Sequence, residues 1–156
     1  MKLPPPAFLP REQWLEVVAR APLVSIDLIL RDDQQRVLVG LRRNEPARGF
    51  WFVPGGVIRK NERLDDAFAR ITHDELGLAL KRADARLLGI YEHLYERNFA
   101  GAPDIGTHYV VLAHELGVGA ALSTLPQAQH GEWRWMSSWE LLSRDDVHEN
   151  TKAYFE

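Results

Sequence analysis

Residues 55–78 read GGVIRKNERLDDAFARITHDELGL. Within them Leu64, Ala67, Phe68 and Ile71 recur at helical spacing, which predicts a helix with Asn61 as its N-cap and Gly77 as its stop. Asp74 and Glu75 fall near the end of that helix, where the macrodipole prefers cations. A bound divalent cation would account for acids placed there, because Mg2+ takes carboxylate and carbonyl oxygens and keeps room for water and substrate phosphate. Gly55, lacking a Cβ, could offer its carbonyl from the preceding loop. The plain alternative is a solvated helix with ordinary surface acids. Arg42 and Arg43 precede the turn signal Asn44-Glu45-Pro46, and a guanidinium fork suits phosphate oxygens as well as it suits a solvated surface. His130 lies in the polar stretch LPQAQHGEW, where an imidazole could titrate near neutrality and take a proton from water. His93 and His108 are weaker candidates, expected within a sheet. Asp27 sits in an apolar strand and must face solvent or hold a specific partner, since burying it unpaired would cost free energy.

The elements around these residues can be read in outline. After the triple proline at 4–6, residues 11–20 predict a short amphipathic helix ended by Pro22. Phe8 and Trp14 read first as core contacts. Residues 23–30 and 37–40 predict a hairpin across 31–36. The run 51–54 leads as a strand into the two glycines. Residues 87–95 and 108–114 form a second candidate pair joined by the Gly/Pro/Asp-rich loop 98–106, 133–136 a last short strand, and Ser138 a cap for a helix through Leu142. Strands interrupted by a central helix, with another behind, predict an α+β fold arranged as an α/β/α sandwich.

Length and composition agree with one domain over residues 1–156, with 1–22 as an N-terminal extension and short helix. A hydrophobic content of 46% and a charged content of 26% are those of a soluble globular protein. The formal net charge of −3 argues against a general nucleic-acid or membrane-surface binder. Phosphate must therefore be handled locally. With no cysteine, disulfides and thiol catalysis are excluded. No signal-like or bilayer-length apolar run is found, so a cytoplasmic protein is expected.

In register, the glycine-to-leucine stretch resembles the Nudix box, GX5EX7REUXEEXGU, where U is bulky and aliphatic. Gly56, Glu62, Arg70, Glu75, Gly77 and Leu78 match; Ile71, Thr72 and Asp74 depart from it. Loss of box glutamates with retention of the last is similar to the GDP-mannose mannosyl hydrolase branch. PLVSIDLIL, GLRRNEPARGFWFVPGG, THYVVL, QHGEWRW and DDVHENTKAYF carry that resemblance along nearly the whole chain.

The resemblance implies the Nudix fold, with a mixed β-sheet and the box helix, and a Mg2+ ion (Mn2+ as substitute) held by Glu75, the Gly55 carbonyl and Gln129. It implies His130 as catalytic base, Arg42 as a phosphate contact, and Asp27 and Tyr109 as site residues. Phe8 and Trp14 gain a second reading, stacking on guanine, because the family's N-terminal segment lies near the nucleotide and the dimer contact. The family's arginine after the two glycines is Val57 here, and Arg59, two positions on, could replace it. The activity implied is hydrolysis of GDP-mannose, with GDP-glucose second, to GDP and free sugar by water attack at C1, in a homodimer acting on a small molecule. The alternatives are a Nudix pyrophosphohydrolase attacking phosphorus and a nucleotide-sugar-binding Nudix domain without turnover.

Overall fold

A computed structural model describes residues 8–119 and 130–156. Its organising strand is β1 (Leu23–Arg31), an almost unbroken apolar run buried on both faces. Along one edge β1 pairs in parallel with β6 (Thr107–Gly117), from Leu23 opposite Tyr109 to Arg31 opposite Gly117. β6 in turn pairs antiparallel with β5 (Arg86–Tyr95). The other edge of β1 is shared. At its far end Arg31 meets Val37 of β2 (Val37–Arg42), whereas nearer its start Ser25, Ile26 and Asp27 face Val57, Gly56 and Gly55 of β4 (Gly55–Val57).

β1 and β2 therefore diverge. β2 continues alongside β3 (Trp51–Phe52) and β7 (His130–Met136), completing a seven-stranded mixed sheet. Pro54 bridges the fork, its carbonyl accepting a 2.8 Å hydrogen bond from the Leu28 amide.

Alternation along the strands divides the core into two layers. Ile26, Leu28, Leu30 and Leu38 pack against Ala67, Phe68, Ile71 and Leu76 of α2 (Leu64–Leu76). On the opposite face Ile29, Val37 and Val39 meet Leu141, Val147 and Tyr154 from the C-terminal segment, which carries α3 (Ser138–Ser143) and α4 (Glu149–Lys152). This is an α+β arrangement with helices on both sides of the sheet. No described helix is long and apolar enough to cross a membrane.

Local details correct the sequence reading in places. α1 spans Arg11–Arg20 as expected. α2 begins at Leu64 with Arg63 as N-cap and no side-chain cap, because Asn61 adopts a left-handed φ of 68° instead of capping. Gly77 ends the helix at φ 76°, a conformation that glycine accepts without a Cβ penalty. Ser137, not Ser138, caps α3, accepting from the Glu140 amide. α4 was not expected: four residues are too few to show helical periodicity.

Candidate functional site

The fork between β1 and β2 opens a cavity of about 390 Å3. Asp27, Arg42, Gly55 and Tyr109, four of the residues singled out from sequence, line it together with Trp14 from α1. His93, a weaker candidate from sequence and held in β5 as expected, joins Tyr95 and Phe99, which sequence reasoning left unassigned, in an aromatic wall. Phe99 belongs to the loop after β5, which Asn98 organises from within. The fully buried Asn98 side chain donates to the carbonyls of Ala102 and Ile105 and accepts from the amides of Ala100 and Ala102.

Asp27 is 7% exposed. Its Oδ2 accepts a 2.5 Å hydrogen bond from the Tyr154 hydroxyl. Its Oδ1 fills the space a side chain at position 55 would need; a Cβ there would also fall 2.6 Å from the Ile26 carbonyl oxygen. Gly55 is thus required by the close pairing of β4 with β1. Burial pushes the Asp27 carboxyl up to about 7, with the nearby Glu75 charge adding to the effect and Tyr154 and Arg42 opposing it. Burial lowers His93 to about 4, so its imidazole is neutral at neutral pH. Burial also raises the Tyr109 phenol. Arg42 brings a guanidinium whose Nε is buried and has no hydrogen-bond partner among the described residues.

The box helix treats its polar residues unequally. Glu62, with a side chain 5% exposed, is held by Arg70 Nε at 2.6 Å and accepts from the Arg59 amide. Arg70 also donates to the Val57 carbonyl. Asp74 is half-exposed and lies 3.5 Å from Arg70, which offsets its charge at the helix end. Ile71, where the box has a glutamate, is 1% exposed and packs on Gly56. Glu75 alone among these acids is both buried and within electrostatic reach of Asp27.

The remaining expected residues are placed differently. Arg59 and Phe8 do not line the cavity; the guanidinium lies over the exposed Phe8 ring, 4.1 Å from its centre. The β4 strand ends at Val57, which does line the cavity. His130 starts β7 with its backbone opposite Arg42, while the placement of its side chain lies outside what is described. Gln129 lies outside the described residues altogether. His108 has a buried Nε2 without a partner among the described residues and sits on β6 beyond the cavity lining.

The residues present fit a hard divalent cation. The Gly55 carbonyl and the Glu75 carboxylate are oxygen donors, and backbone packing around Gly55 admits no side chain. No group of three or more His, Asp or Glu among the described residues is arranged to hold a metal.

Comparison with known proteins places these features in context. The NUDIX domain family matches residues 21–156. The low-salt glycan biosynthesis protein Agl8 of Haloferax volcanii is 44% identical over 112 residues, covering 72% of this chain and 69% of that protein. An ADP-ribose pyrophosphatase of Methanocaldococcus jannaschii is 34% identical over 70 residues, 45% of this chain and 40% of that one. Among solved structures, the MutT protein of Methanosarcina mazei superposes with a TM-score of 0.68 at 17% identity, covering 87% of this chain and 92% of its own. The MutT NUDIX hydrolase of Burkholderia pseudomallei superposes with a TM-score of 0.66 at 24% identity over 87% and 97% of the two chains.

Proposed function

We propose, on the premise that this chain belongs to the Nudix hydrolase superfamily, that it hydrolyses a GDP-sugar to GDP and free sugar, GDP-mannose first and GDP-glucose second. The observation that carries the choice of bond is the state of the box helix. Ile71 is core, Glu62 is tied to Arg70, and Asp74 lies half-exposed beside the same arginine. That leaves Glu75 as the one box acid both buried and within electrostatic reach of Asp27, too few carboxylates for both a metal cluster and a base next to phosphorus. Water attack at the sugar C1 is favoured for that reason.

In this reading the Arg42 guanidinium binds the diphosphate, satisfying a buried Nε that otherwise has no partner. Tyr109 donates a hydrogen bond to a diphosphate oxygen, and its raised pKa keeps the phenol protonated for that task. His130 takes the proton from the attacking water. Trp14 and Phe99, at the cavity wall, offer faces for the base. Glu75, the Gly55 carbonyl and Gln129 would hold Mg2+, or Mn2+ in its place. When bound, the cation neutralises charge on the departing diphosphate. Similarity to a protein named for glycan biosynthesis supports a nucleotide-sugar substrate.

Cleavage at phosphorus is the second reading, favoured by the likeness to an ADP-ribose pyrophosphatase. Hydrolysis in 18O-labelled water separates the two. Label in the free sugar and none in the nucleoside diphosphate is the expected result; label in a phosphate product would overturn attack at C1.

A further inference from the structure

Tyr154 lies 127 residues after Asp27, yet its hydroxyl meets the Asp27 carboxylate inside the protein. The ring is 7% exposed and is wedged by Tyr91, whose ring centre lies 4.7 Å away at an 89° angle, and by Phe155. Packing of that kind leaves the hydroxyl one place to point. His93 Nε2 sits 3.2 Å from the same oxygen.

When Asp27 is ionised its carboxylate can only accept, so it takes the single proton of the tyrosine hydroxyl. His93 must therefore present Nε2–H to the tyrosine oxygen. The result is a directed chain from His93 through Tyr154 to Asp27 Oδ2. Asp27 Oδ1 is left against Gly55, which lines the cavity.

We propose that Tyr154 is a positioning residue of the site, its hydroxyl, oriented by His93, fixing the Asp27 carboxylate so that Oδ1 stays against Gly55. The proposal rests on the GDP-sugar hydrolysis proposed above and on the family resemblance that implies Asp27 as a site residue. It assigns a part in that site to the C-terminal segment, which contributes no residue to the cavity lining.

Tyr154→Phe removes one oxygen and keeps the ring packing. With GDP-mannose as substrate, kcat should fall roughly 10–100-fold, as when a partner that orients a reacting or ligating group is lost, while KM stays near the wild-type value. Asp27→Asn should lower kcat at least as far, and Tyr154→Phe added to it should change kcat no further. A wild-type kcat in Tyr154→Phe beside an impaired Asp27→Asn would overturn the positioning role and leave the site reading standing. Losses that multiply in the double variant would also overturn it, since the two residues would then act separately. Full activity in Asp27→Asn would instead remove the reading on which the proposal rests.

A measurement on the unsubstituted, metal-free protein needs no substrate. At a pH where Asp27 is ionised, the 15N shifts of His93 should report the Nε2–H tautomer, and Tyr154→Phe should release that preference. A wild-type Nδ1–H tautomer would break the chain and with it the proposal.

Discussion

Glu75 and Asp74 are adjacent in sequence and separated in environment, the first buried at 4% exposure, the second with a side chain 47% exposed and beside Arg70. Successive helical residues point about 100° apart, which puts one in the interior and the other at the surface. Glu75→Gln keeps the shape and removes the charge; Mg2+-dependent turnover should drop at least about 100-fold with the far-UV spectrum unchanged. Asp74→Asn should leave turnover near wild type in the same assay. Arg42 and Arg43 divide in the same way. Arg42→Lys retains a positive charge but loses the planar fork, so KM for the nucleotide sugar should rise on the order of tenfold, whereas Arg43→Lys should alter it little. Equal tolerance at both positions in steady-state kinetics would show that neither touches the diphosphate. Residue types and spacing were enough to single out Asp27, Arg42 and Gly55, and the family resemblance added Tyr109; the four meet in one cavity. Tyr95, Phe99 and Tyr154 were not legible, because a ring that packs on a site looks in sequence like any other core ring.

At the scale of elements, α1 and most strands follow from local signals such as proline breaks, apolar runs and the Gly/Pro/Asp loop. The start of α2 does not. The capping rule looks for a side-chain oxygen ahead of the apolar repeat, while here the 57–62 loop is held by Glu62, which accepts from the Arg59 amide and pairs with Arg70 one helical face further on. Breaking a partly buried pair leaves one charge uncompensated, so Glu62→Gln should lower unfolding free energy by about 3 kcal/mol, read from urea titration. The β1–β2 hairpin was legible, but the split edge of β1 was not, since the choice of β4 and β6 as further neighbours is made between residues far apart in sequence. Periodicity says that a strand is buried on both faces and is silent on what lies beside it.

Over the whole molecule, folding removes solvent from Asp27 and His93 in one corner and moves their protons in opposite directions. Asp27 holds its proton to about pH 7 when folded, against 3.8 ordinarily, so the folded state binds more protons across that window and stability falls as pH rises through it. His93 gives up its proton at about 4 when folded, against 6.5 ordinarily, so stability rises with pH between those values. In metal-free protein the two slopes oppose each other from about pH 4 to 6.5. Asp27→Asn should therefore expose a rising limb and His93→Gln a falling one, measured as urea midpoints across that range. The same corner sets a condition on synthesis. Every residue expected to touch substrate or cation has been translated by position 130. The partner that holds Asp27 comes later, from Tyr154. A chain interrupted between those points would carry every residue expected to touch substrate or cation and lack the hydroxyl that meets Asp27.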